Sequence, residues 1–139
     1  MYLLDTNIVS EIRKISNGKV NKGVADWFKV AETDSQYIST ITLFELQKGV
    51  LLAAHNNDFV KADALQSWLD VVRFNFTSRT LPVNKKVALR CAALHIPNPR
   101  PSFDSLIAAT ALAHDLILVT RNTKDFQNID GLRIFNPFT

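Results

Sequence analysis

An α/β domain with a mainly parallel sheet and helices on both faces, in three α/β/α layers, is the fold class the sequence predicts. Short strand-like runs alternate with stretches of helical period along the whole chain. The two dipeptides that could mark hairpins, Asn17-Gly18 and Asp130-Gly131, do not lie between strand-like runs. No repeat, low-complexity tract or linker interrupts the 139 residues, so one domain over residues 1–139 is expected.

The elements follow in order. Tyr2-Leu3-Leu4 reads as a short buried strand, and residues 21–33 carry Val24, Trp27, Phe28 and Ala31 at helical spacing. Residues 37–40, YIST, form a second strand. Thr42 is expected to open a helix with Leu43, Leu46, Val50 and Ala53 on one face. A helix from Asp58 to Val72 turns Phe59, Ala62, Leu65, Trp68, Leu69 and Val72 inward. Residues 79–83 suit a short strand and 85–95 a helix. The prolines of IPNPRP, 96–101, demand an irregular connection. Ser102 is read as the cap of a helix with Phe103, Leu106, Ile107, Ala111 and Leu112 on its apolar face. Residues 116–120 are the most strand-like run, and 132–135 make a last strand.

Composition bounds the function classes. Apolar content of 47% and charged content of 21% are those of a globular protein, which makes disorder the wrong default. No apolar run approaches the ~18 residues of a membrane span, and no basic region precedes an apolar one at the start. A cytoplasmic protein without membrane association is therefore expected. The single Cys91 lies in a helical apolar pattern and reads as a small buried hydrophobe. Net charge is only +3, from 16 bases and 13 acids. If four acids were neutralised in one site, the remaining surface would be plainly cationic, as a polyanion binder requires.

The acids carry the functional signal. In an open parallel sheet, ligands collect at the carboxyl edge of the strands. Asp5 follows the first strand, and Glu45 stands in what reads as the first turn after the second. Asn122 and Asp125 follow the strand at 116–120, and Asp104 starts the helix that descends to that strand. All reach the same edge. Each also has an ordinary role open to it. Asp5 or Asn7 would cap a helix, Thr42 to Glu45 fits a capping box, Asp104 complements a helix dipole, and Asp125 suits a loop. Only their convergence sets them apart. Clustered carboxylates repel by a few kcal/mol per pair at ~4 Å and an effective dielectric near 20, so they take up protons or a cation. Oxygen ligands without His or Cys suit Mg²⁺ or Mn²⁺. His55, His95 and His114 form no zinc spacing and read as surface or packing residues.

Three stretches, MYLLDTNIVSE, YISTITLFELQKGV and FDSLIAATALAHDLILVTRNTKDF, resemble the PIN-domain ribonucleases, most closely the VapC-type toxins of bacterial toxin–antitoxin pairs and their FitB-like branch. With the closing IFNPF, the resemblance spans nearly the whole chain. It implies a metal-dependent endoribonuclease, with Asp5, Glu45 and Asp104 at the family's core acidic positions. The fourth position departs from the pattern. An acid often follows the Thr-Arg pair where this chain has Asn122, whereas Asp125 matches an acid common in TRNxxDF. Thr120 matches a pocket hydroxyl, and Thr6 and Asn7 match residues expected to orient Asp5, an ordinary turn role being open to both.

By this resemblance Asp5, Asp104 and Glu45 hold one Mg²⁺ or Mn²⁺, and Asn122 or Asp125 assists. The ion activates a water for in-line attack on a phosphodiester, leaving 5′-phosphate and 3′-hydroxyl ends. Arg13, Lys14, Lys48, Arg121 and Lys124 are the bases available to the RNA backbone. Most of the nine Phe read as core, so specificity is expected to rest on RNA shape, in structured RNAs such as tRNA. The implied partners are a cognate antitoxin, a second copy of the chain, and operator DNA bound through the antitoxin. The helices at 21–32 and 42–55 are candidates for the dimer surface. A phospho-receiver would need adjacent acids after the first strand, and a haloacid-dehalogenase-type phosphatase an Asp where Asn7 stands. The remaining rival is a non-catalytic PIN-fold module that binds nucleic acid or a partner.

Overall fold

Pairing in the sheet is set by which short apolar runs are buried on both faces. A computed structural model describes residues 1–139. It has five strands, β1 Tyr2–Leu4, β2 Gln36–Ser39, β3 Thr80–Leu81, β4 Ile117–Val119 and β5 Ile134–Phe135. Their spatial order is β3-β2-β1-β4-β5, and every pairing is parallel. Order therefore reverses between β1, whose next strand lies to one side, and β4, on the other. Six helices connect and cover the strands: α1 Thr6–Ile12, α2 Lys22–Val30, α3 Thr40–His55, α4 Phe59–Asn75, α5 Lys85–Leu94 and α6 Ser102–Ala113.

The two-residue period of a strand separates two cores. Leu3 and Leu118 point to one face, where they meet Ile107, Ala108 and Ala111 of α6 together with Phe126. Leu4 and Val119 point to the other, against Ile8 and Val9 of α1 and Val72 of α4. One sheet between two helical layers is thus the three-layer α/β/α arrangement that the alternating sequence predicts. No helix is long and apolar enough to cross a membrane. Cys91 is buried beside Val87 and Ala109, in its expected role.

Several boundaries shift for identifiable reasons. Helix α3 starts at Thr40, two residues before the expected Thr42, because the Ser39 side chain accepts from the Ile41 amide and caps it. Ser102 is the first residue of α6 rather than its cap. Pro101 holds the cap position, and no side chain satisfies that helix start. Strand β3 stops at Leu81 because Pro82 has no N–H for a ladder. Phe59, expected inward, is exposed at the tip of the hairpin that joins α3 to α4. More broadly, the expectation that most phenylalanines are core fails. Phe44, Phe59, Phe74, Phe103 and Phe135 are all exposed, Phe44 and Phe103 resting against each other at 5.0 Å.

Candidate active site at the strand-order reversal

Asp5 leaves the end of β1 with its backbone still in the ladder, its amide donating to the Val119 carbonyl at 2.9 Å. The register of β1 against β4 then sets Thr120 beside it. The Thr120 hydroxyl donates to Asp5 Oδ2 at 2.8 Å, the Asn7 side-chain amide donates to the same oxygen at 3.2 Å, and the Thr6 amide donates to Oδ1 at 2.7 Å. Asn7 also accepts from the Arg121 amide at 3.2 Å, which fastens the end of β1 to the end of β4. Asp5 is only 5% exposed, so it caps α1 while buried at the strand ends.

Glu45 comes to the same place through Thr6. The Thr6 hydroxyl donates to Glu45 Oε1 at 2.7 Å and lies 3.0 Å from the Thr42 hydroxyl. A hydroxyl has one proton, so with Thr6 donating to the carboxylate, Thr42 is left as the donor to Thr6. The expected capping box is absent, because the earlier start of α3 carries Glu45 beyond the first turn. Its carboxylate is therefore free of the helix terminus. Thr42, read from sequence only as a helix opener, is fully buried beneath the site. A TIT run after a strand does not distinguish that role from a cap.

Asp104 and Asp125 complete the electronegative edge. Burial raises the Asp104 carboxyl above its usual range, and the charges of Asp125 and Glu45 push it in the same direction. Asp5 is pushed up to about 6, first by burial and then by the charges of Asp104 and Glu45, against the lowering effect of the Thr120 and Thr6 hydrogen bonds. None of these four acids has a lysine, arginine or histidine within ion-pair distance; the chain's ion pairs lie elsewhere. Asn122 enters through its backbone, donating to Thr120 Oγ1 at 3.0 Å, and its side chain is exposed.

The donor set suits a hard divalent ion. Carboxylate oxygens predominate, no thiol or imidazole joins them, and the acids have no basic partner. They line an edge rather than a closed cage, since no three Asp, Glu, His or Cys side chains are already drawn to ligand distance around one point. Asp5, Glu45 and Asp104 would hold the ion, with Asp125 or Asn122 at the margin.

Of the expected bases, Lys14 is taken up by Glu11 at 3.0 Å. Arg121 lies over Phe138 at 4.9 Å and Arg13 over Trp68 at 5.7 Å, while Lys48 and Lys124 are exposed. His55 and His114 are on the surface. His95 is half-buried and bonded to Ser105 at 2.9 Å, a packing role.

The model of the PIN domain matches residues 2–132. The chain belongs to the PIN-domain family. "Toxin FitB" of Neisseria gonorrhoeae is 33% identical over 145 residues, covering 99% of both chains. "Ribonuclease VapC2" of Rickettsia felis is 32% identical over 138 residues, covering 98% of this chain and 97% of the relative. Among solved structures, FitAB bound to an IR36 DNA fragment is similar with a TM-score of 0.83 and 30% identity, over 100% of this PIN domain and 96% of that chain.

Proposed function

We propose that this PIN domain, acting as one unit over residues 1–139, is a Mg²⁺- or Mn²⁺-dependent endoribonuclease toxin of a toxin–antitoxin pair. It works in the cytoplasm on structured RNA, tRNA among the candidates, and so halts translation. The observation that carries the reading is the strand-order reversal itself. There burial and nearby carboxylate charges raise the proton affinity of Asp5 and Asp104, and Thr6 joins Asp5 to Glu45 through its amide and its hydroxyl, with no cation of the chain to offset them. Relatives named as a toxin and a ribonuclease support the same assignment.

When bound, a divalent ion activates water and offsets charge on the phosphoryl oxygens. The chain's own residues prepare for this. Thr120, Asn7 and the Thr6 amide fix both Asp5 oxygens, so the carboxylate is oriented before an ion or substrate arrives. Thr6, steadied by Thr42, does the same for Glu45. A cation held by Asp5 would compete with the proton for the carboxylate and so favour its ionised form. Arg121 and Lys124, just beyond the acids, are placed in sequence to hold the RNA backbone, contacts that position without reading bases. The reading needs no histidine base.

Two partners belong to the proposal. One is a cognate antitoxin that neutralises the acidic edge and carries the pair to operator DNA, as FitAB is found on a DNA fragment. The other is a second copy of the chain, met through the exposed apolar row Phe44, Leu51 and Leu52 of α3. The activity is tested with purified protein and total RNA, in Mg²⁺ or EDTA, beside Asp5→Asn. Discrete cleavage is expected only for the parent protein in Mg²⁺. Equal cleavage by the variant would overturn the assignment, and Mg²⁺-independent binding without cleavage would make the domain a binding module.

A further inference from the structure

A groove of about 210 Å³ opens directly off the acidic edge, between α1, α3 and α4, and shares Thr6 and Glu45 with it. Its other walls include Arg13, Trp68, Leu65 and Gly49. That volume is below the ~300 Å³ at which pockets for drug-sized ligands begin, so it suits a single flat ring. Arg13 has no carboxylate partner and rests over the Trp68 indole, 5.7 Å from the ring centroid. Gly49 stands inside the sixteen-residue helix α3, where glycine weakens a helix relative to alanine. Its backbone does not need a positive φ, and a Cβ there would meet nothing within 4 Å. The glycine serves no packing contact of the chain, and its effect is to leave the groove mouth open.

We propose that this groove is the subsite for one nucleotide of a single-stranded RNA segment next to the scissile phosphate. The base takes the Trp68 ring face, and Arg13 leaves that face to bind the adjoining phosphate. The inference rests on the nuclease reading and deepens it. An unpaired cation beside an aromatic face is the pairing that single-stranded RNA binding uses, and continuity with Glu45 puts the subsite within one nucleotide of the acids. RNA is favoured over a protein segment because the groove's one charge that is not a site acid is a cation, complementary to phosphate.

The test uses the full chain in EDTA with a randomised single-stranded RNA oligonucleotide pool. Trp27→Phe makes Trp68 the only tryptophan, since the chain has two. RNA is expected to quench Trp68 emission. Gly49→Leu, which fills the groove from an open position, is expected to abolish the quench and to raise KM for cleavage in Mg²⁺ by roughly tenfold, the scale of one base–aromatic stack, with kcat nearly unchanged. Arg13→Gln is expected to weaken binding and flatten its salt dependence. A Gly49→Leu protein that quenches and cleaves like its parent overturns the subsite alone. One that cleaves normally but escapes a protein inhibitor shows the groove to be a protein site, and also overturns it. A parent that neither binds nor cleaves RNA removes the nuclease reading and the subsite with it.

Discussion

Thr120 donates a 2.8 Å hydrogen bond to the carboxylate of Asp5 across the reversal of strand order, joining residues that are 115 positions apart in the chain. The bond is among the interactions that hold Asp5 down against the effect of burial. Thr120→Val keeps the shape and removes the donor. It is expected to raise the Asp5 pKa further and to cost about 1–3 kcal/mol, because a buried acceptor loses its partner. Carboxyl NMR titration and denaturant unfolding read the two effects separately, and an unmoved pKa would contradict the account.

Asp5 also links stability to pH. Its folded pKa of about 6 lies above the ordinary 3.8, so between those values the folded chain keeps a proton that the unfolded chain has released. Stability from this group is complete below pH 3.8 and is lost as pH rises through 6, by about 3 kcal/mol at most. In EDTA, Asp5→Asn is therefore expected to melt above the parent at pH 7.5 and level with it near pH 4. Thermal melts at the two pH values check the sign.

A divalent ion would act in the opposite sense. Mg²⁺ or Mn²⁺ is expected to raise the melting temperature at pH 7.5, less so at pH 5 where protons compete for the carboxylates. Asp5→Asn and Asp104→Asn should each abolish most of the rise. A shift that survives both substitutions would put the ion elsewhere.

Much of this was legible in the sequence, and the limits have physical causes. The alternation of runs such as Leu3-Leu4 and Leu118-Val119 with helical stretches is enough to specify a sheet buried on both faces. Once the sheet is parallel, the loops that follow β1 and β4 share an edge, and Asp5 and Thr120 follow from that. Helix starts were less legible, because Ser39 and Thr42 are equally good caps on paper and only the backbone decides between them. The capping choice then moves Glu45 by most of a turn. The exposed phenylalanines escaped because helical spacing marks an apolar stripe without saying what covers it. Arg13 against Trp68 escaped because nothing local joins residues on α1's end and α4.

Gly23 illustrates a glycine required by close approach. A Cβ there would strike the Pro137 carbonyl and the Thr139 side chain. Gly23→Ala is expected to displace the terminal segment, loosen Phe138 from the core shared with Ile8 and Val72, and cost about 1–3 kcal/mol. Urea unfolding with proteolysis of the tail measures it.

Leu51 of α3 is 62% exposed beside Leu52 and Phe44. Leu51→Glu should shift sedimentation towards the monomer while leaving the unfolding free energy of dilute protein within about 0.5 kcal/mol of the parent. An unchanged sedimentation coefficient would exclude this row as the interface.

The strand order has a consequence for synthesis. The central strand β1 is made well before its partner β4, at residues 117–119, and before β5 at 134–135. A nascent chain therefore has no complete sheet, no Thr120 to orient Asp5 and no Asp125 until the segment from β4 to β5 has been added. Assembly of the acidic edge therefore waits on the most distant pairing in the sheet, and a chain that stopped short of β4 would carry Asp5 and Glu45 without the strand that sets Thr120 beside them.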